Sequence, residues 1–164
     1  MSIQCTKIKP DGTQCKNRTL KGPTCYIHAL QRGLRVKISS IPDAQMGLFA
    51  TKDYRRNELI DEYKGSVIEG PSDAIEDNKD YIISLNNNYH IDGEDPNSSF
   101  ARFINDKRRH ANTKFTADNR NRKINVRAKN NIRATKKHPK ELYVSYGRDY
   151  WRRWQEAMDR QFNE

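Results

Sequence analysis

Apolar residues in this chain recur mostly in short runs that alternate with polar residues, the pattern of half-buried β-strands. Turn-forming pairs such as Pro42-Asp43 and Lys64-Gly65 separate the runs. The pattern predicts strands over residues 35–38, 47–50, 58–63, 81–85, 89–92, 112–115 and 124–128. Many short strands with few helices predict a mostly β fold of the α+β class.

Helical patterns are few. Residues 70–80 open with Gly-Pro-Ser-Asp, which predicts a short helix capped by Ser72 or Asp73. Residues 100–104 predict a short helical turn after the polar loop 93–99. Between residues 148 and 162, large apolar residues recur at steps of three to four, which predicts a C-terminal helix.

Residues 1–32 show almost no apolar periodicity and are too few to bury a hydrophobic core. The chain has 164 residues, enough for one ordinary domain with a small appendage. The change of pattern at Leu34 predicts a small N-terminal module over 1–32, a main domain over 33–152 and a helical tail over 153–164.

The small module over 1–32 is predicted to bind zinc. It contains Cys5, Cys15, Cys25 and His28, which include all three cysteines of the chain. Thiolates and imidazole are the ligands that Zn²⁺ prefers, and it takes four of them tetrahedrally in a structural site. An odd number of cysteines argues against a disulfide framework. We expect a closed structural site whose metal supplies folding energy; the alternative is free thiols in an unstructured tail.

The net charge is +10, but the charges are unevenly distributed. Residues 53–98 hold twelve Asp/Glu against four Lys/Arg, and residues 102–140 hold fourteen Lys/Arg against two Asp. One interpretation is two solvated faces. The other is that the acidic stretch receives a basic peptide while the basic stretch contacts the phosphates of DNA or RNA. The sequence contains no membrane-span or signal pattern, which predicts an intracellular protein.

Four motifs follow one another along the main domain: Gln45-Met-Gly-Leu-Phe-Ala50, Asp61-Glu-Tyr-Lys-Gly65, Ser99-Phe-Ala-Arg-Phe-Ile-Asn-Asp106 and Glu141-Leu-Tyr-Val-Ser-Tyr-Gly147. In order and spacing they resemble the motifs of the SET domain over about residues 34–152. SET domains are S-adenosylmethionine-dependent protein-lysine methyltransferases, many of which act on histones. The resemblance implies a fold of short strands with a C-terminal pseudoknot.

The resemblance also assigns roles to residues. It implies that Tyr146 is the catalytic tyrosine and that Tyr63 lines the channel for the substrate lysine. Val144 matches the position that sets the degree of methylation, where a small side chain favours di- or trimethylation unless Tyr143 beside it fills the space. Binding of S-adenosylmethionine is implied for Met46, Gly47, Arg102, Phe103, Asn105, Asp106 and Trp151.

The chain departs from the family pattern at three places. Gln45 replaces the first glycine of the cofactor loop, and Asp106 replaces a histidine. No cysteine follows Cys25, so the cysteine cluster that closes the lysine channel in many histone enzymes is absent from this sequence. The channel would then be closed by the helix predicted before Phe162 or by a second subunit in a homodimer.

The sequence therefore predicts a lysine methyltransferase of histone tails with a nuclear or chromatin-associated location. Two alternatives stay open at this point. One is a catalytically weak SET-like module that binds nucleic acid or chromatin, which Gln45 and Asp106 favour. The other is an enzyme for a basic protein other than a histone, whose Lys-rich tail would look the same to the site.

Overall fold

The computed structural model describes residues 1–75 and 80–145. Within these residues helix α1 spans Tyr26–Gln31, and 3-10 turns span Ser72–Ala74, Ala101–Phe103 and Arg108–His110. The strands are β1 (Ile3–Gln4), β2 (Arg18–Thr19), β3 (Leu34–Ile38), β4 (Met46–Ala50), β5 (Leu59–Glu62), β6 (Ser66–Glu69), β7 (Ile82–Asn86), β8 (Tyr89–Asp92), β9 (Asn105–Asp106), β10 (Thr113–Asp118), β11 (Lys123–Ala128), β12 (Lys140–Glu141) and β13 (Tyr143–Val144).

The strands form small separate sheets, so the prediction of a mostly β fold is confirmed. Three sheets have three strands each, in the orders β12-β4-β3, β10-β11-β5 and β6-β8-β7. Strands β1 and β2 pair within the N-terminal module, and β13 pairs with β9. The β13–β9 pair is parallel, whereas the other described pairs are antiparallel.

Two local predictions need correction. The helix predicted over 70–80 is in the described residues a single 3-10 turn, and neither Ser72 nor Asp73 caps it. Pro71 precedes the turn in an extended conformation, and no side chain makes a capping hydrogen bond. The strand predicted over 112–115 runs on to Asp118, because its antiparallel partner β11 continues to pair with it as far as Lys123. The predicted C-terminal helix lies outside the described residues.

The main core lies between the three larger sheets and the turn at Ala101–Phe103. Its largest fully buried apolar side chains include Leu34, Leu48, Phe100, Ile124 and Leu142. Burying a side chain of this size contributes about 1.5–3 kcal/mol each. The core therefore holds together strands that are far apart in the sequence and individually too short to be stable.

The N-terminal module (residues 1–32) packs against this core. The backbone N–H of Gly22 donates to the carbonyl of Pro96 at 2.8 Å. Gly22 has a φ of +79° and lies so close to the Phe100 ring that a Cβ would collide with it. The guanidinium of Arg32 bonds Asp61 at 2.8 Å, and the other carboxylate oxygen of Asp61 accepts from the backbone N–H of Ala101. The module is thus fixed to the turn that opens the Asn105 motif.

Candidate functional site

The short parallel pair β9–β13 joins two motifs that are far apart in the sequence. Tyr143 is opposite Asn105, and Val144 is opposite Asp106. The backbone N–H of Lys107 donates to the carbonyl of Val144 at 3.0 Å and continues the pairing. This crossing is the part of the expected pseudoknot that the described residues contain.

The same crossing brings in a third motif from β4. The side-chain amide of Asn105 donates through Nδ2 to the carbonyl of Met46 at 2.9 Å. Oδ1 of Asn105 accepts no hydrogen bond from the described part of the chain. The backbone N–H of Leu142 donates to the carbonyl of Leu48 at 2.8 Å. Met46, Gly47 and Asn105 therefore lie close together.

Glu141 is a residue of this site that sequence reasoning missed. Its carboxylate accepts hydrogen bonds from Ser39 Oγ (2.6 Å), Ser40 N (2.9 Å), Ser40 Oγ (2.7 Å) and the Tyr143 hydroxyl (2.9 Å). Burial by itself would raise the pKa of Glu141, but the hydrogen bonds from Ser39, Ser40 and Tyr143 outweigh it and the pKa is lowered. The carboxylate thereby pins the loop that leads to Gln45, which has a φ of 60°.

Glu141 also explains why position 47 is glycine. A Cβ there would collide with the Glu141 carboxylate. A second residue that the sequence did not reveal is Asn112, whose side chain donates to the carbonyl of Glu141 and accepts from the backbone N–H of Tyr143. The alternation of Glu141 and Tyr143 in the motif could have suggested that both face the same side, but Asn112 carried no such pattern.

Tyr63 is buried behind the site. Its hydroxyl donates to the carbonyl of Tyr81 at 2.7 Å, and its ring centroid is 5.7 Å from that of Phe115. Gly93 lies directly against the phenol, so a Cβ there would meet the hydroxyl at 2.7 Å. These contacts fix the position of the Tyr63 ring and connect it to Phe115, which lines the cleft described below.

Arg102 makes internal contacts in this structure. Its Nε donates to the carbonyl of Gly93 at 2.6 Å, and Nη2 donates to the carbonyl of Glu94 at 3.0 Å. The guanidinium carbon lies 4.1 Å from the centroid of Tyr81 and 4.8 Å from that of the buried Phe103. Arg102 thus anchors the loop that follows β8.

A cleft of about 670 Å³ lies between β7 and β10. Both are edge strands of their sheets in the described residues. Edge strands leave backbone N–H and C=O groups to which an extended peptide can pair. The described residues that line the cleft are Ser72, Ile82, Ile83, Ser84, Asn86, Asn87, Ala111, Thr113, Lys114, Phe115, Lys129, Val144 and Ser145.

Val144 and Tyr143 have different positions with respect to this cleft. Val144 lines it, and the chain leads from Ser145 directly to Tyr146. Tyr143 is not among the described lining residues, since its hydroxyl is bonded to Glu141 and contacts Ser40 Oγ. Burial raises the pKa of Tyr143. Tyr146 and Trp151 lie outside the described residues.

The four expected metal ligands form one cluster in the N-terminal module. Their ligand atoms all lie within 4.8 Å of one another. The Nδ1 atom of His28 is 3.4 Å from Sγ of Cys5 and 3.3 Å from Sγ of Cys25. A tetrahedral Zn²⁺ with Zn–S near 2.3 Å and Zn–N near 2.0 Å separates its ligand atoms by about 3.5–3.8 Å. The cluster therefore has the composition and size of a Cys3His zinc site.

The surroundings of the cluster act differently on Cys25 and Cys15, favouring the thiolate at the first and the thiol at the second. Burial would raise the pKa of Cys25, but hydrogen bonds from the His28 backbone N–H and the Asn17 side chain, with contributions from Cys5 and the His28 ring, lower it to about 6. The Asn17 backbone N–H lowers the pKa of Cys15, and burial together with the neighbouring sulfurs outweighs it, so that the pKa is raised. Three mutually close thiols deprotonate unequally until a cation balances their charge.

Residues 45–147 match the family model described as "SET domain". A solved chain from "Structure of ctPRC2 in complex with H3K27me3 and H3K27M" superposes with a TM-score of 0.56 at 23% identity, over 77% of this chain and 16% of that chain. The chain thus spans about a sixth of that relative's length. A search among curated proteins found no match.

The described residues contain no helix with the length and apolar character needed to cross a membrane.

Proposed function

Because this chain belongs to the SET-domain family, we propose that it is an S-adenosylmethionine-dependent protein-lysine N-methyltransferase of histone tails. The observation that carries the proposal is the β9–β13 crossing, which brings Asn105 beside Met46 and leads Val144 and Ser145 into the cleft. The proposed catalytic domain covers 33–152, followed by a helical tail over 153–164.

The chemistry of the crossing fits the cofactor. S-adenosylmethionine supplies a methyl group on a positively charged sulfonium and also carries an ammonium and a carboxylate. Oδ1 of Asn105, which has no donor in the described residues, is an acceptor suited to the ammonium. We assign the binding site to Met46, Gly47, Arg102, Phe103, Asn105, Asp106 and Trp151. Arg102 would hold the loop after Gly93 while its remaining N–H groups face the carboxylate.

Lysine must lose a proton before it can accept a methyl group. At an unperturbed pKa of about 10.4, deprotonation near neutrality costs about 4–5 kcal/mol. A channel lined by tyrosine and closed to water lowers that pKa by disfavouring the charged amine. In this proposal Tyr146 orients the amine through its hydroxyl, and Tyr63 shapes the channel from behind Phe115. Holding the amine in near-attack geometry supplies much of the remaining rate.

The cleft between β7 and β10 would receive the substrate as an extended segment that pairs with both edges. Val144 at its end leaves space beside the amine, so we propose di- or trimethylation. Acidic residues of 53–98 would attract a basic tail. The similar ctPRC2 chain comes from a structure in complex with H3K27me3 and H3K27M, which supports a histone as the substrate class.

The charge of one stretch supports work on chromatin. The excess of Lys/Arg over residues 102–140 would contact nucleosomal DNA, and we propose a nuclear, chromatin-associated location.

The Cys5, Cys15, Cys25 and His28 cluster would hold one structural Zn²⁺, since all four positions are protein ligands and none is left for a reacting water. A second subunit could close the lysine channel.

A catalytically weak binding module is the second candidate. The observation that favours it is the guanidinium of Arg102, which already bonds the carbonyls of Gly93 and Glu94. Asp106 adds a negative charge where the family carries histidine. Both features would weaken cofactor affinity without disturbing the fold.

The decisive experiment is transfer of labelled methyl from S-adenosylmethionine to core histones, nucleosomes and a cell lysate. We expect label on one histone, loss of that label in Tyr146→Phe, and retention in the matched control Tyr89→Phe. Tyr89 is in β8 and does not line the cleft. Label in the lysate alone would move the substrate outside histones. No label, together with no cofactor binding by calorimetry, would establish the binding module instead.

A sharper test concerns the degree of methylation. Val144→Phe fills the space beside the amine, and mass spectrometry of the product should then show predominantly monomethyl-lysine. The matched substitution Val126→Ile adds volume at a buried position of β11 outside the cleft and should leave the product distribution unchanged. An unchanged product distribution in Val144→Phe would show that Val144 does not control the degree of methylation.

A further inference from the structure

A groove of about 260 Å³ lies where the N-terminal module meets the β12-β4-β3 sheet. The end of β2, the start of α1 and β3 contribute to its walls, and Phe100 also lines it. None of the residues proposed for methyl transfer lines this groove. It is therefore a separate feature of the molecule.

The groove is positively charged and its charges are uncompensated. Arg18, Lys21 and Arg35 line it, and no Asp or Glu is among its described lining residues. Arg18 donates through Nε to Ser2, a neutral partner. Lys21 and Arg35 have no carboxylate partner in the described part of the chain. Like charges held this close without counter-charges favour an anionic ligand.

Besides its charge, the groove has two uncharged features that favour a nucleic-acid ligand. Tyr26 is 57% exposed although it lines the groove, and the Arg35 guanidinium carbon lies 5.3 Å from its ring centroid. Thr24, only 8% exposed, also lines the groove, and its hydroxyl has no hydrogen-bond partner among the described residues. An exposed aromatic ring among cations is the combination on which nucleic-acid bases stack while phosphates are neutralised.

The charge of the whole module favours a polymer over a single phosphate group. Residues 1–32 contain six Lys/Arg against one acidic residue, Asp11. Lys7, Lys9 and Lys16 are exposed and lie outside the groove lining. A phosphopeptide would offer one phosphate to the groove and leave these cations unused, whereas a nucleic-acid strand offers a phosphate at every step.

We propose that this groove binds single-stranded nucleic acid, with a base against the open side of Tyr26 and the adjoining phosphates on Lys21, Arg18 and Arg35. A duplex would present paired bases that the groove cannot admit. Such a site would hold the enzyme on a nucleic acid while its cleft acts on a nearby protein, which raises the effective concentration of the substrate.

The test measures fluorescence anisotropy of a labelled oligothymidylate and of an unstructured oligoribonucleotide with the full chain. No methyl donor is present, so the outcome is independent of methyl transfer. The variant Lys21→Gln/Arg35→Gln should weaken binding by about tenfold or more. It should also reduce the slope of log affinity against log salt by about 1.4, since each lost contact with a single strand removes about 0.7. Tyr26→Leu should weaken binding about fivefold or more.

The matched control is Arg55→Gln/Arg56→Gln, which removes the same charge from exposed residues outside the groove. An equal loss in this control would overturn the proposal in favour of diffuse electrostatic attraction. So would absence of binding by the unmodified chain at low salt, equal affinity for a duplex, or competition by a phosphopeptide or by phosphoinositide vesicles at the same concentration of phosphate.

A second measurement avoids variants that fail to fold. Acetylation of lysines in the unmodified chain, read by mass spectrometry, should be slowed at Lys21 by the oligothymidylate and unchanged at Lys52. Lys52 lies on the other side of the module junction, where it approaches Glu58. Equal protection of Lys21 and Lys52 would contradict a specific groove.

Discussion

The N-terminal module and the β-sheets differ in the residues that they bury. The module buries three cysteines as a cluster of their own, while its large apolar residues Ile8, Leu20 and Ile27 are exposed. The described residues outside the module bury nineteen of the twenty residues of one continuous apolar cluster, and Ala29 of the module is the twentieth. We propose that the module, which has no apolar core of its own, depends on metal-ligand bonds, whereas the sheets depend on burial.

Because the two regions are stabilised differently, we expect each to unfold without the other. The contacts between them include Arg32 with Asp61, Gly22 with Pro96, the approach of Gly22 to Phe100, and Ala29, which is buried in the main core cluster. Because the other nineteen residues of that cluster lie outside the module, loss of metal should release the module while the sheets stay folded. Loss of a core side chain should destabilise the sheets without expelling the metal.

The largest expected effect is removal of Cys15, a proposed metal ligand. Zinc binding to small Cys/His modules is worth about 10–16 kcal/mol, so Cys15→Ser should unfold residues 1–32. We expect rapid proteolysis confined to the module and loss of one bound Zn²⁺ per chain by elemental mass spectrometry. Thr13→Ser, an exposed change in the same module, is the control. Unchanged proteolysis with no zinc in either protein would contradict the metal site.

Truncation of the apolar core comes next. Leu142 is fully buried, and Leu142→Ala should lower the free energy of unfolding by about 2–5 kcal/mol through lost burial and the remaining cavity. Urea denaturation followed by circular dichroism measures this change. Leu59→Ala, at a residue that is 49% exposed, should cost far less. Similar losses for both would mean that the core is not the main source of stability.

The junction between the two regions should have an intermediate effect. Asp61 accepts from both Arg32 and Ala101, so Asp61→Ala leaves a buried N–H and a cation without a partner and should cost about 1–3 kcal/mol. Glu58→Gln, in the exposed pair with Lys52, should cost less than about 1 kcal/mol. Differential hydrogen exchange at Ala101 reports the junction directly. Fast hydrogen exchange at Ala101 in Glu58→Gln would contradict a special role of the Asp61 contacts at the junction.

The smallest effect is a dependence of stability on pH. The hydrogen bonds to Glu141 lower its pKa below the value of 4.5 for a free carboxyl group. A lowered folded-state pKa stabilises the protein above pH 4.5, and this contribution is lost as the pH falls through the folded-state value. Melting temperatures of the native chain should thus fall more steeply below pH 4.5 than those of Glu141→Gln. Parallel curves would show that Glu141 does not contribute.

Local pattern predicted much of what the structure contains. Strands β3, β4, β5, β7, β8, β10 and β11 were recoverable because alternation of apolar and polar residues records which side of a strand is buried. Strand β6 was missed, because Val67 and Ile68 are adjacent apolar residues and show no such alternation. Strands β1, β2, β9, β12 and β13 were missed because two residues are too few to show a period. The short helix α1 was missed for a similar reason, since Tyr26 and Ile27 are exposed rather than part of an apolar face.

The sequence by itself determined the mostly β class, the proposed Cys3His ligand set and the SET-domain resemblance, because residue order and ligand chemistry are local properties. Only the tertiary structure decided that Glu141 pins the loop before Gln45, that Arg102 bonds two backbone carbonyls, and that β7 and β10 face each other across a cleft. Those contacts join residues separated by long stretches of chain. They depend on how separate sheets pack, which no periodicity in the sequence encodes.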